Sequence, residues 1–335
     1  MSATMKDVAT RAGVSLGTVS NVLNHPGLVA PKTANRVRAA IVDLGFIPNA
    51  PARQLRGRLS KVLGLVVPDI SNPFFTEVAR GVEDAALEEG YVVILCNSDE
   101  KAEREDRYLA VLDSQRVGGI LITPTRKSLK PLGQLLERGV AVTLLDNAAA
   151  SQDVCSASVD DLLGGHLAAA HAIELGHREL LWLAGPIEIP QVADREAGLM
   201  QAAAGGEVKV TRIAADQMTT MAGAVAMAAA LGTPTTFTAV VCANDLLALG
   251  AISSLTRAGI RVPEDVSVIG YDDIEFAANA AVPLTSVRQP KYELGFAAAK
   301  LVISECESPE SHVHQRVQFQ PQLIARASSS HAPIR

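Results

Sequence analysis

The chain has 335 residues, of which 48% are hydrophobic and 20% are charged, and its net charge is −6 at neutral pH. This length predicts two or three domains, and the composition excludes a disordered chain and a membrane-spanning one, because the longest apolar runs are only as long as strands. Four scattered cysteines and a first segment without an apolar core predict a protein of the reducing cytoplasm, with no metal site built from cysteine.

Three short helices are predicted in the first 45 residues. Thr4 and Asp7 form a T-x-x-D helix start, Gly13 ends that helix, and Ser15 can cap a second one. Pro31 suits the first position of a third helix. Two short helices joined at "AGVS" predict a helix-turn-helix, although the pattern by itself also fits a generic small helical domain.

Charge is distributed unevenly between this segment and the rest. Residues 1–60 contain eight Lys or Arg and two Asp, a net charge of +6, so the remaining residues carry −12. A basic segment favours binding to phosphate, whereas an acidic body avoids polyanions. By itself, the asymmetry also fits a solvated basic surface.

The segment "NAPARQLRGRLS", residues 49–60, predicts a short basic helix that carries Leu55 outward. A helix of this length is marginally stable by itself. An exposed leucine among arginines is suited to act as a wedge in a DNA minor groove, and the alternative is a flexible linker between domains.

After residue 60, strand-sized apolar runs alternate with amphipathic segments. Four buried strands are expected in a first set, "KVLGLVVPD", "YVVILCN", "VGGILITP" and "VAVTLLDN". Four further strands are expected in a second set, "RELLWLAG", "VKVTRIA", "TAVVCAND" and "VSVIGYDD". Helices are expected around 74–89, 102–116, 129–138, 161–176, 193–204, 219–231 and 244–258. This alternation predicts two doubly wound parallel-sheet lobes, with a ligand cleft at the carboxyl ends of the strands.

Polar residues follow several of these strands directly. Asp69, Asp146, Asn244 and Asp272 stand at strand ends, so they are expected to converge on the mouth of the cleft. Carboxylates and an amide suit the vicinal hydroxyls of a sugar.

Two aromatic residues and one arginine complete this candidate site. Phe74 and Phe75 can supply an apolar wall for a ring, and Arg195, expected at the start of its helix, a planar fork of donors. Each polar or aromatic residue, taken alone, also fits a helix cap or a core position.

Seven motifs occur in order between about residues 4 and 326: "MKDVATRAGVSLGTVSNVLN", "VAPKTANRVRAAIVDLGFIPNAPARQLR", "PDISNPFF", "GHRELLWLAGP", "CANDLLALGA", "VPEDVSVIGYDD" and "LTSVRQP". Together they closely resemble the lactose-repressor/galactose-repressor (LacI/GalR) family of bacterial transcription regulators. The resemblance implies an N-terminal all-α helix-turn-helix headpiece and an α/β core of periplasmic-binding-protein type with two doubly wound parallel-sheet lobes.

The implied domains are a headpiece over 1–48, a hinge helix or linker over 49–60, and a core over 61–330 for effector binding and dimerisation. Within this core, the N-lobe takes about 61–160 plus 291–320, and the C-lobe about 161–290 plus 321–330. No heptad repeat follows the core, so a homodimer is expected.

The resemblance also implies that the second helix and the hinge contact DNA. Leu16, Gly17 and Asn21 would face base edges, and because the first two offer no side-chain hydrogen bond, Asn21 is the main polar reader, suited to adenine. Leu55 would wedge into the centre of a pseudo-palindromic operator. The other residues expected at DNA are Thr4, Ser15, Thr18, Ser20, Asn24, Thr33, Asn49, Arg53 and Gln54.

A small effector would bind in the cleft. The residues that the resemblance places there are Asp146, Arg195, Asn244 and Asp272 as contacts, and Asn72, Phe74, Phe75 and Gln289 as further lining. A shortened segment near residues 198–208 means that no contact is assigned to residues 205–222. The expected ligand is a sugar, a sugar phosphate or a nucleoside-like compound, and whether it induces or corepresses stays open.

These observations predict a ligand-responsive DNA-binding regulator, a repressor that binds a two-fold operator as a homodimer, with no cofactor, no membrane and no catalytic residue. The alternative is a carbohydrate-binding module without a role at DNA.

Enzyme activity is disfavoured. His166, His171 and His177 are five and six residues apart and share no helical face. No phosphate loop occurs, and no G-x-S-x-G turn follows a predicted strand, since "GVSLG" joins two predicted helices. Asp160 and Asp161 are expected only to start a helix.

Overall fold

The computed structural model describes residues 3–46, 60–126, 130–148 and 153–333. The chain divides into two units, Met1–Leu59 and Ser60–Arg335. The predicted hinge residues Asn49, Arg53, Gln54 and Leu55 lie outside the described residues, as does the side chain of Asn24.

Three helices form the described part of the first unit. These are α1 (Met5–Ala12), α2 (Leu16–Asn24) and α3 (Pro31–Asp43), with a 3₁₀ turn at Pro26–Leu28. Apolar residues at helical spacing meet in one small core, in which Val8, Val19 and Val37 are fully buried.

The ends of these helices follow the predicted capping. In α1, the Thr4 N–H donates to Asp7 Oδ2 at 2.8 Å, and the Asp7 N–H donates to Thr4 Oγ1 at 3.3 Å. Ser15 Oγ accepts the Thr18 N–H at 3.1 Å and so caps α2. The helix-turn-helix is therefore confirmed. Ala30 precedes α3 without a side-chain cap, as its methyl group requires.

The first lobe of the second unit is a six-stranded parallel sheet in the order β11-β5-β4-β3-β1-β2. Its strands are β1 (Val62–Val67), β2 (Val92–Asn97), β3 (Gly119–Ile122), β4 (Ala141–Leu145), β5 (Cys155–Val159) and β11 (Arg316–Phe319). Its helices are α4 (Pro73–Glu88), α5 (Ala102–Ser114), α6 (Lys130–Glu137) and α12 (Lys291–Glu307).

The second lobe is a sheet in the order β12-β10-β9-β8-β6-β7, in which β12 alone is antiparallel to its neighbour. Its strands are β6 (Glu179–Ala184), β7 (Lys209–Ala214), β8 (Ala239–Cys242), β9 (Ser267–Asp272), β10 (Thr285–Arg288) and β12 (Gln322–Ile324). Its helices are α7 (Asp161–Glu174), α8 (Pro190–Ala203), α9 (Thr220–Leu231), α10 (Asp245–Arg257) and α11 (Glu275–Asn279). The chain passes between the lobes after β5, after β10 and after β11.

The two doubly wound lobes are confirmed, and all eight predicted strands are present. The expectation that the four strands of the first set are buried is wrong for β2, because it is the outer strand of its sheet. In β2, the side chains of Val92, Ile94 and Leu95 are 60%, 45% and 38% exposed. No described helix has the length and apolar character needed to cross a membrane.

Candidate ligand and nucleic-acid sites

A cavity of about 250 Å³ lies between the two lobes, at the carboxyl ends of the strands. Asp69 lines it, as the strand-end pattern predicts, and so do seven of the eight residues expected there by resemblance. These seven are Asn72, Phe74, Phe75, Asp146, Arg195, Asn244 and Asp272. Gln289 does not line the cavity but lies behind Asp272, to which its Nε2 donates at 2.8 Å.

Asp146 follows the last residue of β4 and has a positive φ of 51°, a conformation that costs energy outside glycine. Gln191 Nε2 donates to the Asp146 carbonyl oxygen and, at 3.3 Å, to its Oδ2. Its Oδ1 is buried and accepts no hydrogen bond from the described residues. Burial, reinforced by the nearby carboxylate of Asp161, raises the pKa of Asp146 well above its usual range. The buried Oδ1, without a partner among the described residues, is suited to a hydrogen bond with a ligand hydroxyl.

Asp272 ends β9 and also has a positive φ, of 105°. Burial raises the pKa of its carboxyl to about 6, although Arg195 and the hydrogen bond from Gln289 oppose the shift. The carboxyl is therefore mostly ionised at neutral pH and able to accept hydrogen bonds from ligand hydroxyl groups. Lys291 Nζ donates to the Asp272 carbonyl oxygen at 2.9 Å and holds this turn in place.

Arg195 is buried among polar partners. Its Nε donates to Asp161 Oδ1 at 2.7 Å, and its Nη1 donates to the Ala243 carbonyl oxygen at 2.7 Å. The guanidinium carbon lies 3.6 Å from the centre of the Tyr271 ring. Burial by itself would lower the pKa of Arg195, but the carboxylates of Asp161 and Asp272 outweigh it and raise the pKa. Arg195 is therefore a fixed positive charge of the cavity wall.

One sequence expectation about this arginine is wrong, whereas the helix start expected at Asp160 and Asp161 is confirmed but incomplete. Arg195 is not at the start of its helix, because α8 begins at Pro190, whose ring suits the first turn. Asp161 does more than start a helix. It is Asp160 that caps α7, with its Oδ1 accepting the Leu163 N–H at 2.9 Å, and this leaves the Asp161 carboxylate for Arg195.

The close crossing of α7 and α8 positions this ion pair. A Cβ added at Gly165 would overlap the carbonyl oxygen of Arg195, and one added at Gly198 would overlap that of Leu162. Glycine at both positions therefore permits the approach of the two helices that brings Arg195 to Asp161.

The two asparagines of the site are also helix caps. Asn72 Oδ1 accepts the Phe74 N–H at 3.0 Å, and Asn244 Oδ1 accepts the Leu247 N–H at 2.9 Å. Asn244 Nδ2 donates to the Met218 carbonyl oxygen at 3.1 Å. Both residues thus fit the alternative reading as caps and line the cavity as well.

The aromatic wall comes from the first turn of α4. The rings of Phe74 and Phe75 meet edge to face, with centroids 5.0 Å apart and an angle of 83° between their planes. Phe74 is buried and Phe75 is partly exposed.

Several lining residues were not predicted. They are Pro68, Glu100, Thr123, Pro124, Thr125, Pro186, Glu188, Ile189, Gln191, Val192, Asp216 and Met218. The rule that found Asp146 and Asp272 would also have found Thr123 and Asp216, since these follow β3 and β7 closely, but not Glu100, which comes three residues after the end of β2. Asp216 and Met218 come from the segment to which sequence analysis assigned no contact.

The predicted base-reading side chains lie on the outer face of α2. Leu16 is 49% exposed, and Gly17 and Asn21 are exposed, whereas Val19 on the opposite face is buried. The hydroxyl groups of Ser15 and Thr18 lie 2.9 Å apart and bond to each other. The surface is therefore small and uncharged.

The remaining described residues predicted at DNA are less accessible than this surface or are engaged in a helix cap. Thr4 is bound within the capping box of α1, with its Oγ1 donating to Asp7 Oδ2 at 2.7 Å. Ser20 and Thr33 are half-buried.

Two of the three histidines of α7 and the following loop have polar partners within the second lobe. His171 Nε2 lies 2.9 Å from Ser329 Oγ, and His177 Nδ1 lies 2.8 Å from Thr238 Oγ1. Their partners are hydroxyl groups of the second lobe, so these two side chains stabilise that lobe.

Comparison with known proteins gives matches over both units. Residues 4–49 match the model described as bacterial regulatory proteins, lacI family, and residues 169–329 match that of a periplasmic binding protein-like domain. The HTH-type transcriptional repressor PurR of Shigella dysenteriae is 36% identical over 342 aligned positions, which cover 99% of this chain and 98% of the relative.

Two solved structures extend the comparison to the fold. The lac repressor dimer bound to operator and the anti-inducer ONPF is 26% identical, with a TM-score of 0.86 over 98% of this chain and 100% of that one. A LacI family transcriptional regulator of Enterococcus faecium with bound ribose is 30% identical, with a TM-score of 0.74 over 81% of this chain and 99% of that one.

Proposed function

The chain belongs to the LacI family of bacterial regulatory proteins, and on that premise we propose that it is a ligand-responsive transcriptional repressor that binds a pseudo-palindromic operator as a homodimer. The observation that carries the proposal is the presence in one chain of a helix-turn-helix with an exposed face and a polar cavity between two lobes. Its proposed partner is chromosomal DNA, so we place its action in the cytoplasm.

We assign base reading to Leu16, Gly17 and Asn21. Asn21 is exposed and is the one residue of the three whose side chain forms a bidentate pair with adenine. The experiment is an anisotropy titration of DNA from upstream of the chain's own gene. Asn21→Ala should weaken specific binding by about 1 to 3 kcal/mol and relax the sequence preference. Gln201→Ala, which removes an exposed amide from α8, is the matched control and should change nothing.

We assign the hinge to residues 49–60, with Leu55 as the operator wedge. Leu55→Ala should weaken specific operator binding strongly and leave effector binding intact. Unchanged operator affinity would remove the hinge from the proposal.

We propose an uncharged sugar or related polyol as the effector. The described lining carries six carboxyl groups and one guanidinium, those of Asp69, Glu100, Asp146, Glu188, Asp216, Asp272 and Arg195. Burial raises the pKa values of Asp146 and Glu100, so these two carboxyls add the least charge, but the other four still outnumber the one guanidinium. The net acidic cavity repels phosphate, which disfavours a sugar phosphate. The volume of about 250 Å³ lies at the small end of ligand sites, which favours a ligand of one ring.

A thermal-shift screen of carbohydrates, starting with ribose, tests this assignment. A ligand present at about 100 times its dissociation constant should stabilise the chain by about 2.7 kcal/mol. Ribose 5-phosphate is the matched probe and should give a smaller shift than ribose. A larger shift with the phosphate would overturn the assignment of an uncharged effector.

The exposed apolar side of β2 supports a dimer. Val92 and Ile94 of β2, with Leu87 at the end of α4, leave apolar surface in solvent that a second copy of the chain would cover. Val92→Lys should shift the chain from dimer to monomer in light-scattering chromatography.

The proposed control is linkage between the two sites. Effector binding closes the cleft, shifts the first lobes across the dimer interface and changes whether the two hinges pair on DNA.

Two other functions would give different results. A carbohydrate-binding module without a role at DNA would bind the sugar and leave the labelled DNA free. An enzyme would alter the ligand, whereas the proposed regulator returns it unchanged. The relatives named above are regulators.

A further inference from the structure

Four metal-ligating side chains meet in the first lobe, near the residue at which β5 begins. The effector cavity lies at the opposite, carboxyl ends of the strands. Cys155 begins β5, and Glu305 lies near the end of α12. His312 and His314 lie between α12 and β11. One ligand atom from each of the four lies within 4.8 Å of the others.

The distances within the cluster are those of a compact site. Cys155 Sγ is 3.2 Å from His312 Nε2 and 3.8 Å from His314 Nδ1. His314 Nδ1 is in turn 4.0 Å from Glu305 Oε2. In a tetrahedral zinc site, bonds of about 2.3 Å to sulfur and about 2.0 Å to nitrogen place those two atoms about 3.5 Å apart. The two sulfur–nitrogen distances lie on either side of this value.

We propose that Cys155, Glu305, His312 and His314 bind a divalent transition-metal ion of the zinc class. One sulfur, two imidazole nitrogens and one carboxylate oxygen suit a borderline-soft ion, whereas Mg²⁺ and Ca²⁺ take oxygen ligands. When bound to the ion, the thiolate and the carboxylate together supply two negative charges, which balance the two positive charges of the ion.

The atoms behind the ligands support this assignment. His312 Nδ1 lies 3.2 Å from the hydroxyl of Ser304, which orients the ring so that Nε2 faces the sulfur. The backbone N–H of Gln315 donates to Cys155 Sγ at 3.3 Å and fixes the position of the sulfur. Burial raises the pKa of this thiol although the hydrogen bond opposes the shift, so the thiol proton would leave as the metal ion binds.

A cluster held together by hydrogen bonds alone does not explain the buried carboxylate of Glu305. Glu305 Oε2 is buried and has no hydrogen-bond partner among the described residues. A thiol–imidazole hydrogen bond would account for the contact between Cys155 and His312, but it would leave this buried oxygen unsatisfied, which destabilises the folded chain. A bound cation satisfies the oxygen and the two imidazoles together.

The sequence predicts no metal site from cysteine because its four cysteines are scattered and form no closely spaced pair. Cys155 and His312 are 157 positions apart. They meet because β5 pairs with β11, which begins directly after the histidine segment.

The test is a metal titration of the tag-free, full-length chain after treatment with a chelator. The chain should bind one Zn²⁺ in competition with a chromophoric chelator, and Co²⁺ in its place should give a thiolate-to-cobalt charge-transfer band. Cys155→Ser should abolish that band and lower zinc affinity by at least about 100-fold. Cys96→Ser, which changes a buried thiol of the same lobe, should keep both.

Two further variants test the metal site if Cys155→Ser fails to fold. His314 is the most exposed of the four ligands, so His314→Gln should preserve the circular dichroism spectrum and weaken zinc binding by at least about 100-fold. Ser304→Ala, which frees the His312 ring, should weaken it by about 10- to 100-fold. A wild-type chain without the cobalt–thiolate band, or equal zinc affinity in His314→Gln and wild type, would overturn the proposal.

Discussion

Removal of the Arg195 guanidinium should destabilise the second lobe, and the cost can be worked out from burial. The side chains of Arg195 and Asp161 are only 5% and 7% exposed. This places the pair among buried ion pairs, for which loss of one partner costs about 3 to 5 kcal/mol, rather than among surface pairs worth about 1 kcal/mol or less. Arg195→Met keeps much of the volume but leaves the Asp161 carboxylate buried without its cation, so we expect a loss in that range.

A double-mutant cycle isolates the pair. Asp161→Asn and Arg195→Met are made singly and together, and urea unfolding is followed by the fluorescence of Trp182, the one tryptophan of the chain, which is buried in β6 of the same lobe. The double variant should be more stable than the sum of the single losses predicts, by at least about 2 kcal/mol, because the Asp161 carboxylate is removed together with its cation. Asp272, 3.8 Å from Arg195, loses that neighbour in the single Arg195→Met variant and in the double variant alike, so its contribution cancels in the cycle. Single losses that add to within about 0.5 kcal/mol would refute this account of the pair.

Three further predictions concern residues of both units. The pKa of Asp272 is raised to about 6 in the folded chain, so the folded state keeps its proton to higher pH than the unfolded state does. The free energy of unfolding should therefore fall by up to about 3 kcal/mol as pH rises from about 4 to about 6. Urea unfolding of the Asp272→Asn variant at several pH values should lack this fall, and parallel profiles for the two chains would contradict the prediction. Gly198→Ala should cost about 1 to 3 kcal/mol in thermal unfolding because its Cβ overlaps the Leu162 carbonyl oxygen, whereas Gly206→Ala, with its nearest neighbour 3.9 Å away, should be neutral, and equal melting temperatures would contradict the close crossing. Ala30→Ser should supply the missing cap of α3 and slow hydrogen exchange of its first amides in the full-length chain, by about 1 kcal/mol of added stability, and unchanged exchange would count against it.

The cavity could be predicted from the sequence where a parallel sheet decides the geometry. Asp146 and Asp272 follow long apolar strands, and the carboxyl ends of such strands lie at one edge of a sheet whatever the details of packing. The family resemblance was likewise predicted from ordered motifs and is confirmed by the PurR relative at 36% identity.

Other parts of the site depend on tertiary contacts that no local pattern records. Asp161 pairs with Arg195 only because α7 and α8 cross closely at two glycines, and the same Asp161 looks like an ordinary helix start in the sequence. Gln191 was missed because the sequence placed the beginning of α8 too late.

Four strands were not predicted from the sequence, and all four share one physical feature. The strands β5 ("CSASV"), β10 ("TSVR"), β11 ("RVQF") and β12 ("QLI") are short and contain small or polar residues, so they lack the apolar run on which strand prediction rests. Neighbouring strands pair with them and bury most of β5 and β10, which overrides weak local preference.

The measurement that tests the central claim most directly is the coupling between the two proposed sites. Operator affinity of the full-length chain is measured by anisotropy with and without a saturating amount of the sugar that gives the largest thermal shift, and sugar affinity is measured with and without operator. The account predicts that both affinities change by the same factor, of about 5 to 150. Operator titrations that superimpose with and without the sugar would contradict it.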